Sequence, residues 1–169
     1  MNVLQTKKVY YSNTILWASC CALFSLYAIW LSYHGINDWS IRMQERFWNE
    51  MGFMSIFLGI GSVVFWFSKK KIIKAKEVNS GLKILHLRAS HIALGWLSFA
   101  VGLGHSIFFI VSDLGRPSRN FTGYIALLVM LLVIISGALY KHRVLKVSVI
   151  KRWHLVIACV LVGTMLVHI

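Results

Sequence analysis

Acidic side chains are scarce in this chain: five Asp and Glu among 169 residues, against 18 Lys and Arg. None of the five falls inside a long apolar run. That argues against a transporter that relays protons or metal ions through intramembrane carboxylates. Charge of either sign is also short, at 14% of the residues, where a soluble domain carries about 25%. Proline occurs once, at Pro117, in the tight turn Leu114-Gly115-Arg116-Pro117, so no apolar run is interrupted by one. The three cysteines, Cys20, Cys21 and Cys159, all lie in apolar runs without metal-ligand spacing and read as small packing residues.

What fills the chain instead is hydrophobic sequence. Hydrophobic residues make up 58% of it, and the mean hydropathy is +0.70. Charge-free stretches run from Val9 to Asn37, Met51 to Ser68, Ala89 to Ser112, Asn120 to Tyr140 and Trp153 to the end. Each is about long enough to cross a bilayer as a helix, for which roughly 17–25 residues suffice. The expected fold is an all-α integral membrane bundle in one domain, residues 1–169. Its five transmembrane helices are expected at about 13–34, 51–68, 87–112, 120–141 and 148–169. No small-residue cleavage site follows the first run, which therefore reads as a span rather than a cleaved signal. Between the first two runs, Ile36, Trp39, Met43 and Phe47 recur at helical intervals among charged residues. This pattern predicts an interfacial amphipathic helix over 36–49.

A net charge of +13 suggests nucleic acid until its placement is considered. With the N-terminus on the cytoplasmic side, 14 of the 18 basic residues fall inside. They are Lys7, Lys8, seven residues between Lys69 and Arg88, and five between Lys141 and Arg152. The outer loops balance Arg42, Arg46, Arg116 and Arg119 against Asp38, Glu45, Glu50 and Asp113. This is the positive-inside distribution of a multi-pass protein of the cell membrane, with the C-terminus outside. The basic loops then serve as orientation signals and as contacts for anionic lipid, and no nucleic-acid partner is expected.

Against this background four histidines stand out. His91 and His105 are 14 residues apart in the third run, and His154 and His168 repeat the interval in the fifth. Fourteen residues return a helix to within roughly 40° of its starting direction and climb about 21 Å. Each helix thus shows two imidazoles on one face, one toward each membrane surface. Both runs are odd-numbered and hence parallel, and each first histidine follows closely on an arginine, Arg88 or Arg152. Depth therefore pairs His91 with His154 and His105 with His168. Only seven histidines occur in the chain, so a doubled coincidence of spacing is rare. Zinc would want a third or fourth ligand at each level. Bis-histidine ligation instead fills both axial positions of a haem iron and produces an electron carrier with no open site for substrate.

The expected cofactors are accordingly two haem b groups, an inner one on His91 and His154 and an outer one on His105 and His168. Arg88 and Arg152 are placed for the inner propionates, Arg116 and Arg119 for the outer ones. Gly95, Ser98 and Gly102 lie between the ligands of the third run, with Ala158 and Thr164 in the fifth, and leave room for a flat macrocycle. His34, His86 and His142 read as interfacial polar residues. The competing reading is a non-redox assembly or interaction subunit whose histidines are structural.

From Arg88 onward, about half of the chain resembles the ferric-reductase-like transmembrane family. That family includes NADPH oxidases, ferric reductases and the haem subunit of the periplasmic methionine-sulfoxide reductase. The resemblance rests on the His91–His105 pair, on GYIALLVMLLVIISG in the fourth run and on KRWHLVIACVLVGTMLVHI in the fifth. It implies that His91, His105, His154 and His168 are haem ligands and that electrons pass from a cytoplasmic reductant to an outer acceptor. Family members usually carry a sixth span, and many append a flavin and nicotinamide domain. This chain shows neither, so the resemblance implies the cytochrome b subunit of an oxidoreductase, with a partner flavoprotein or a quinol as donor.

Overall fold

The computed structural model describes residues 40–75, 80–112, 117–142 and 147–168, together with the helical residues 19, 23, 26, 27 and 30. The rest of the first predicted span at 13–34 lies outside the described residues. Four helices account for the remainder: α1 Ile41–Ala75, α2 Ser80–Ser112, α3 Pro117–His142 and α4 Val147–His168. No strand occurs among the described residues. All four helices are long and apolar enough to cross a membrane.

The second, third, fourth and fifth predicted spans are thus all present as helices, and their bounds shift by a few residues. The one substantive difference is at α1. Residues 41–49 of the expected surface helix and the span over 51–68 belong to a single helix of 35 residues, and residues 36–39 lie outside the described residues. Ser40 starts it, its carbonyl accepting from the Met43 and Gln44 amides at 2.9 and 3.3 Å. No proline follows, so nothing in the backbone chemistry stops the helix at Glu50, where polarity changes. Arg46 and Glu50 form an exposed i,i+4 ion pair at 3.2 Å, which contributes little in water. Trp48, two residues from either charge and so on the opposite side of the helix, is buried.

Pairing is sequential. α2 packs on α1, α4 packs on α3, and the two hairpins meet chiefly through α2 and α3. α2 is the central helix: 39% of its most apolar window is buried, against 6–17% for the other three. Along the α1–α2 hairpin, Ser62 meets His91, Ser55 meets Ser98 and Trp48 meets His105. These antiparallel rungs are seven residues apart on both helices, the interval that keeps one seam facing one partner. At the middle rung the serines bond reciprocally. Ser55 Oγ donates to the Ser98 carbonyl at 2.8 Å, and Ser98 Oγ to the Ser55 carbonyl at 2.7 Å. Close approach is permitted by small residues: a Cβ on Gly59 would stand 3.4 Å from Ser98 Oγ.

Ser136–His154 and Thr122–His168 are the corresponding rungs of the α3–α4 hairpin. Between the two histidine levels, beside the Ser55–Ser98 rung, lies an apolar layer. Phe99, Ala100 and Met130 are buried there, flanked by Trp96, Leu127 and Leu161. Large apolar side chains cover the exterior: Phe57, Leu166 and Val167 are each more than 70% exposed. Such a surface suits hydrocarbon rather than water.

Candidate functional site: two facing histidine pairs

The rungs turn the histidines of α2 and α4 toward each other. His91 and His154 stand with ring centres 6.4 Å apart and planes at 83°. His105 and His168 stand 6.2 Å apart with planes at 77°. The pairings expected from depth are the pairings found, and α2 and α4 are parallel, as the alternation of spans requires. Four imidazoles therefore form two levels, separated by about 21 Å of helix rise.

Each ring is held from behind by the neighbouring helix of its own hairpin. His105 Nδ1–H donates to the Trp48 carbonyl at 2.6 Å. His91 Nδ1–H reaches the Ser62 carbonyl at 2.9 Å and Ser62 Oγ at 2.8 Å. On the other hairpin, His168 Nδ1–H is shared between the Arg119 carbonyl at 3.1 Å and Thr122 Oγ1 at 3.2 Å. His154 Nδ1–H is likewise held by Ser136 Oγ at 2.9 Å and by the Val133 backbone.

These partners determine the tautomer. A carbonyl can only accept. Each hydroxyl already donates its one proton to a carbonyl at 2.9 Å: Ser62 to His91, Ser136 to Val133 and Thr122 to Arg119. It too must accept from the ring. All four neutral imidazoles thus carry their proton on Nδ1, which leaves a lone pair on Nε2. No Nε2 hydrogen bond joins any of the four rings to a described residue. This is the state of a metal-ligating histidine, oriented by a bond from its other nitrogen.

The ring spacing has a matching meaning. A direct N–H···N bond of about 2.9 Å would bring the ring centres to about 5.2 Å. A metal bonded to both nitrogens at about 2.0 Å sets them about 6.3 Å apart. The observed 6.2 and 6.4 Å agree with the second arrangement. No cluster of three or more His, Cys, Asp or Glu occurs among the described residues. Two protein ligands per level suit a metal already held in a plane by other donors.

Beside His105 and His168 lies a cavity of about 450 Å³. Its walls include Phe53, Ile56, Leu127 and Met130, and Asn49, Arg119 and Asn120 line it near the helix ends. Apolar walls with a polar, cationic edge fit a flat macrocycle bearing carboxylates; Glu45 lines the cavity as well. No known protein-family model, curated protein or solved structure matches the chain.

The arginines divide. Arg119 lines the cavity, and its carbonyl orients His168. Arg88 and Arg152 are exposed, within a turn of His91 and His154 respectively. Arg116 and His34 lie outside the described residues, and His86 is exposed. The small residues of the third run divide too. Gly95 and Ser98 turn to α1, where they serve helix packing, and Gly102 does both, lining the cavity while lying against Ser55 of α1.

Trp48, Ser62, Thr122 and Ser136 were not singled out by the sequence reading. A signal for them exists, because Trp48 and Ser62 are 14 residues apart, as are Thr122 and Ser136. Each of the four described helices thus carries the 14-residue interval, two in imidazoles and two in the groups that accept from them.

Proposed function

We propose that this chain is a membrane cytochrome that carries electrons between the two faces of the bilayer through two b-type haems. His91 and His154 would hold one and His105 and His168 the other. The observation that supports this most is the paired geometry: lone pairs on four Nε2 atoms, in rings spaced for one metal between each pair. Haem, when bound, would supply one-electron chemistry, with His91 and His154 or His105 and His168 as the residues that would hold it.

The residues of the chain do the rest. The Nδ1–H bonds fix ring planes and raise ligand basicity. The apolar layer around Phe99 and Met130 excludes water between the levels. Arg119 and Asn120 line the cavity and would be the cationic and polar partners of carboxylates on a bound macrocycle. By the positive-inside distribution, the His91/His154 level faces the cytoplasm of a cell membrane and the His105/His168 level faces outward. A partner flavoprotein or a quinol is the donor in this reading, and an outer-side acceptor completes the path. The resemblance to ferric-reductase-like proteins points the same way, toward the cytochrome subunit of an oxidoreductase.

Purified protein expressed with haem supplementation should show a reduced-minus-oxidised difference spectrum of low-spin b haem and two haems per chain. A colourless preparation with no extractable haem would overturn the reading in favour of structural histidines.

A further inference from the structure

Three of the four rings rest on a glycine of the neighbouring helix. A Cβ built on Gly52 would come within 2.9 Å of His105 Cε1. On Gly123 it would come within 2.8 Å of His168 Cε1, and on Gly137 within 3.3 Å of His154 Cε1. The same turns of helix provide the carbonyl and hydroxyl acceptors, Trp48 beside Gly52, Thr122 beside Gly123 and Ser136 beside Gly137. Each acceptor draws Nδ1 down onto the helix, and each glycine leaves the space into which the adjacent Cε1 edge settles. His91 differs: its partner on α1 is Ser62, and a Cβ on the neighbouring Gly59 or Gly61 would meet Ser98 or Leu94 rather than its ring.

We propose that Gly52, Gly123 and Gly137 are positioning residues for the ligands, and that the His105/His168 level is the more exacting of the two. That level has a glycine behind both rings, each with less than 3.0 Å to spare, whereas the other has one at 3.3 Å. A methyl group at Gly52 or Gly123 cannot be absorbed by a remote chain end, because the atom it meets belongs to the ligand ring. The ring must swing, its Nδ1–H leaves the acceptor, and Nε2 moves away from the line between the two helices. The inference rests on the haem reading above and says which backbone positions that reading depends on.

The test compares Gly52→Ala, Gly123→Ala and Gly137→Ala with two controls in the full chain. Gly163→Ala adds a methyl that meets nothing within 4 Å, and Gly59→Ala presses only on Ser98, away from any ring. Haem content, low-temperature electron paramagnetic resonance of the low-spin signals, and helical circular dichroism are measured on each. Gly52→Ala and Gly123→Ala should retain one haem about 10–100-fold less well, the usual cost of disturbing a ligand's supporting shell. They should also displace the signal of that haem alone. Gly137→Ala, the milder change, should keep both haems and shift only the signal of the other one. Both controls should match the wild type.

Two unshifted haems in a folded Gly123→Ala protein would overturn the proposal while leaving the cytochrome intact. Equal losses in Gly59→Ala would overturn it as well, because plain helix packing would then explain the glycines. If Gly123→Ala fails to fold, an unshifted spectrum for Gly137→Ala overturns it in the same way. A wild type without haem would instead overturn the function itself.

Discussion

The α1–α2 and α3–α4 hairpins hold their histidines by the same device in unlike surroundings. In each, an antiparallel partner helix offers acceptors 14 residues apart to imidazoles 14 residues apart. The middle rungs differ. α1 and α2 are joined there by the reciprocal Ser55–Ser98 bonds, both serines buried. At the same depth α3 and α4 present Met130 and Leu161. Burial differs as well, since α2 lies at the centre of the bundle and α4 is mostly exposed. A polar clasp specifies register because a slip would take two buried hydroxyls away from the carbonyls they bond across the seam. An aliphatic layer tolerates a slip far better. Register on the second hairpin must then come largely from the hydroxyl–imidazole rungs at its two ends. The lesson is that histidine positioning and helix register are separate tasks on one hairpin and a single task on the other.

The largest effect expected from this contrast is in the histidines themselves. His91→Ala and His154→Ala should each abolish the same haem, and His105→Ala and His168→Ala the other, read by haem content and resonance signals. The comparison fails if a variant on central α2 loses a cofactor that its partner variant on α4 keeps. It also fails if every variant loses both.

A smaller effect is expected at the aliphatic rung. Met130 is 6% exposed, and Met130→Ala should cost about 2 kcal/mol through the cavity it leaves. Thermal denaturation of the detergent-solubilised protein measures this, and a change near zero would show that the second hairpin collapses to fill the gap.

The smallest effect belongs to the clasp. Ser55→Ala should cost about 0.6 kcal/mol, the mean for hydrogen bonds between membrane helices. Its test is a double-mutant cycle with Ser98→Ala. Additive losses would show that the two serines act independently and that the clasp does not set register.

Several features were legible along the chain. Four of the five expected spans appear as helices, because about 20 uncharged apolar residues leave the backbone few alternatives in a bilayer. The pairing His91–His154 and His105–His168 followed from helix period and alternating direction alone. The break expected near Glu50 did not materialise. It was inferred from a change in polarity, which governs where a segment lies and not whether its backbone stays helical. Ser98 shares a broad face with the histidines, yet it turns to α1 because the Ser55 carbonyl there accepts from its hydroxyl, and Gly95 faces Ser62 across the same seam. The acceptors were written in the sequence at the same 14-residue interval. Spacing alone does not mark them, because serine and threonine are frequent in any membrane helix and a backbone carbonyl such as that of Trp48 leaves no trace in sequence.

Period and polarity, both local properties, were enough to establish an all-helical membrane protein with two histidine levels. Which nitrogen of each ring is engaged, and how far apart the rings stand, depends on which carbonyl of a neighbouring helix lies behind each imidazole. That is a matter of register between segments distant in sequence, and it arose only when the hairpins closed.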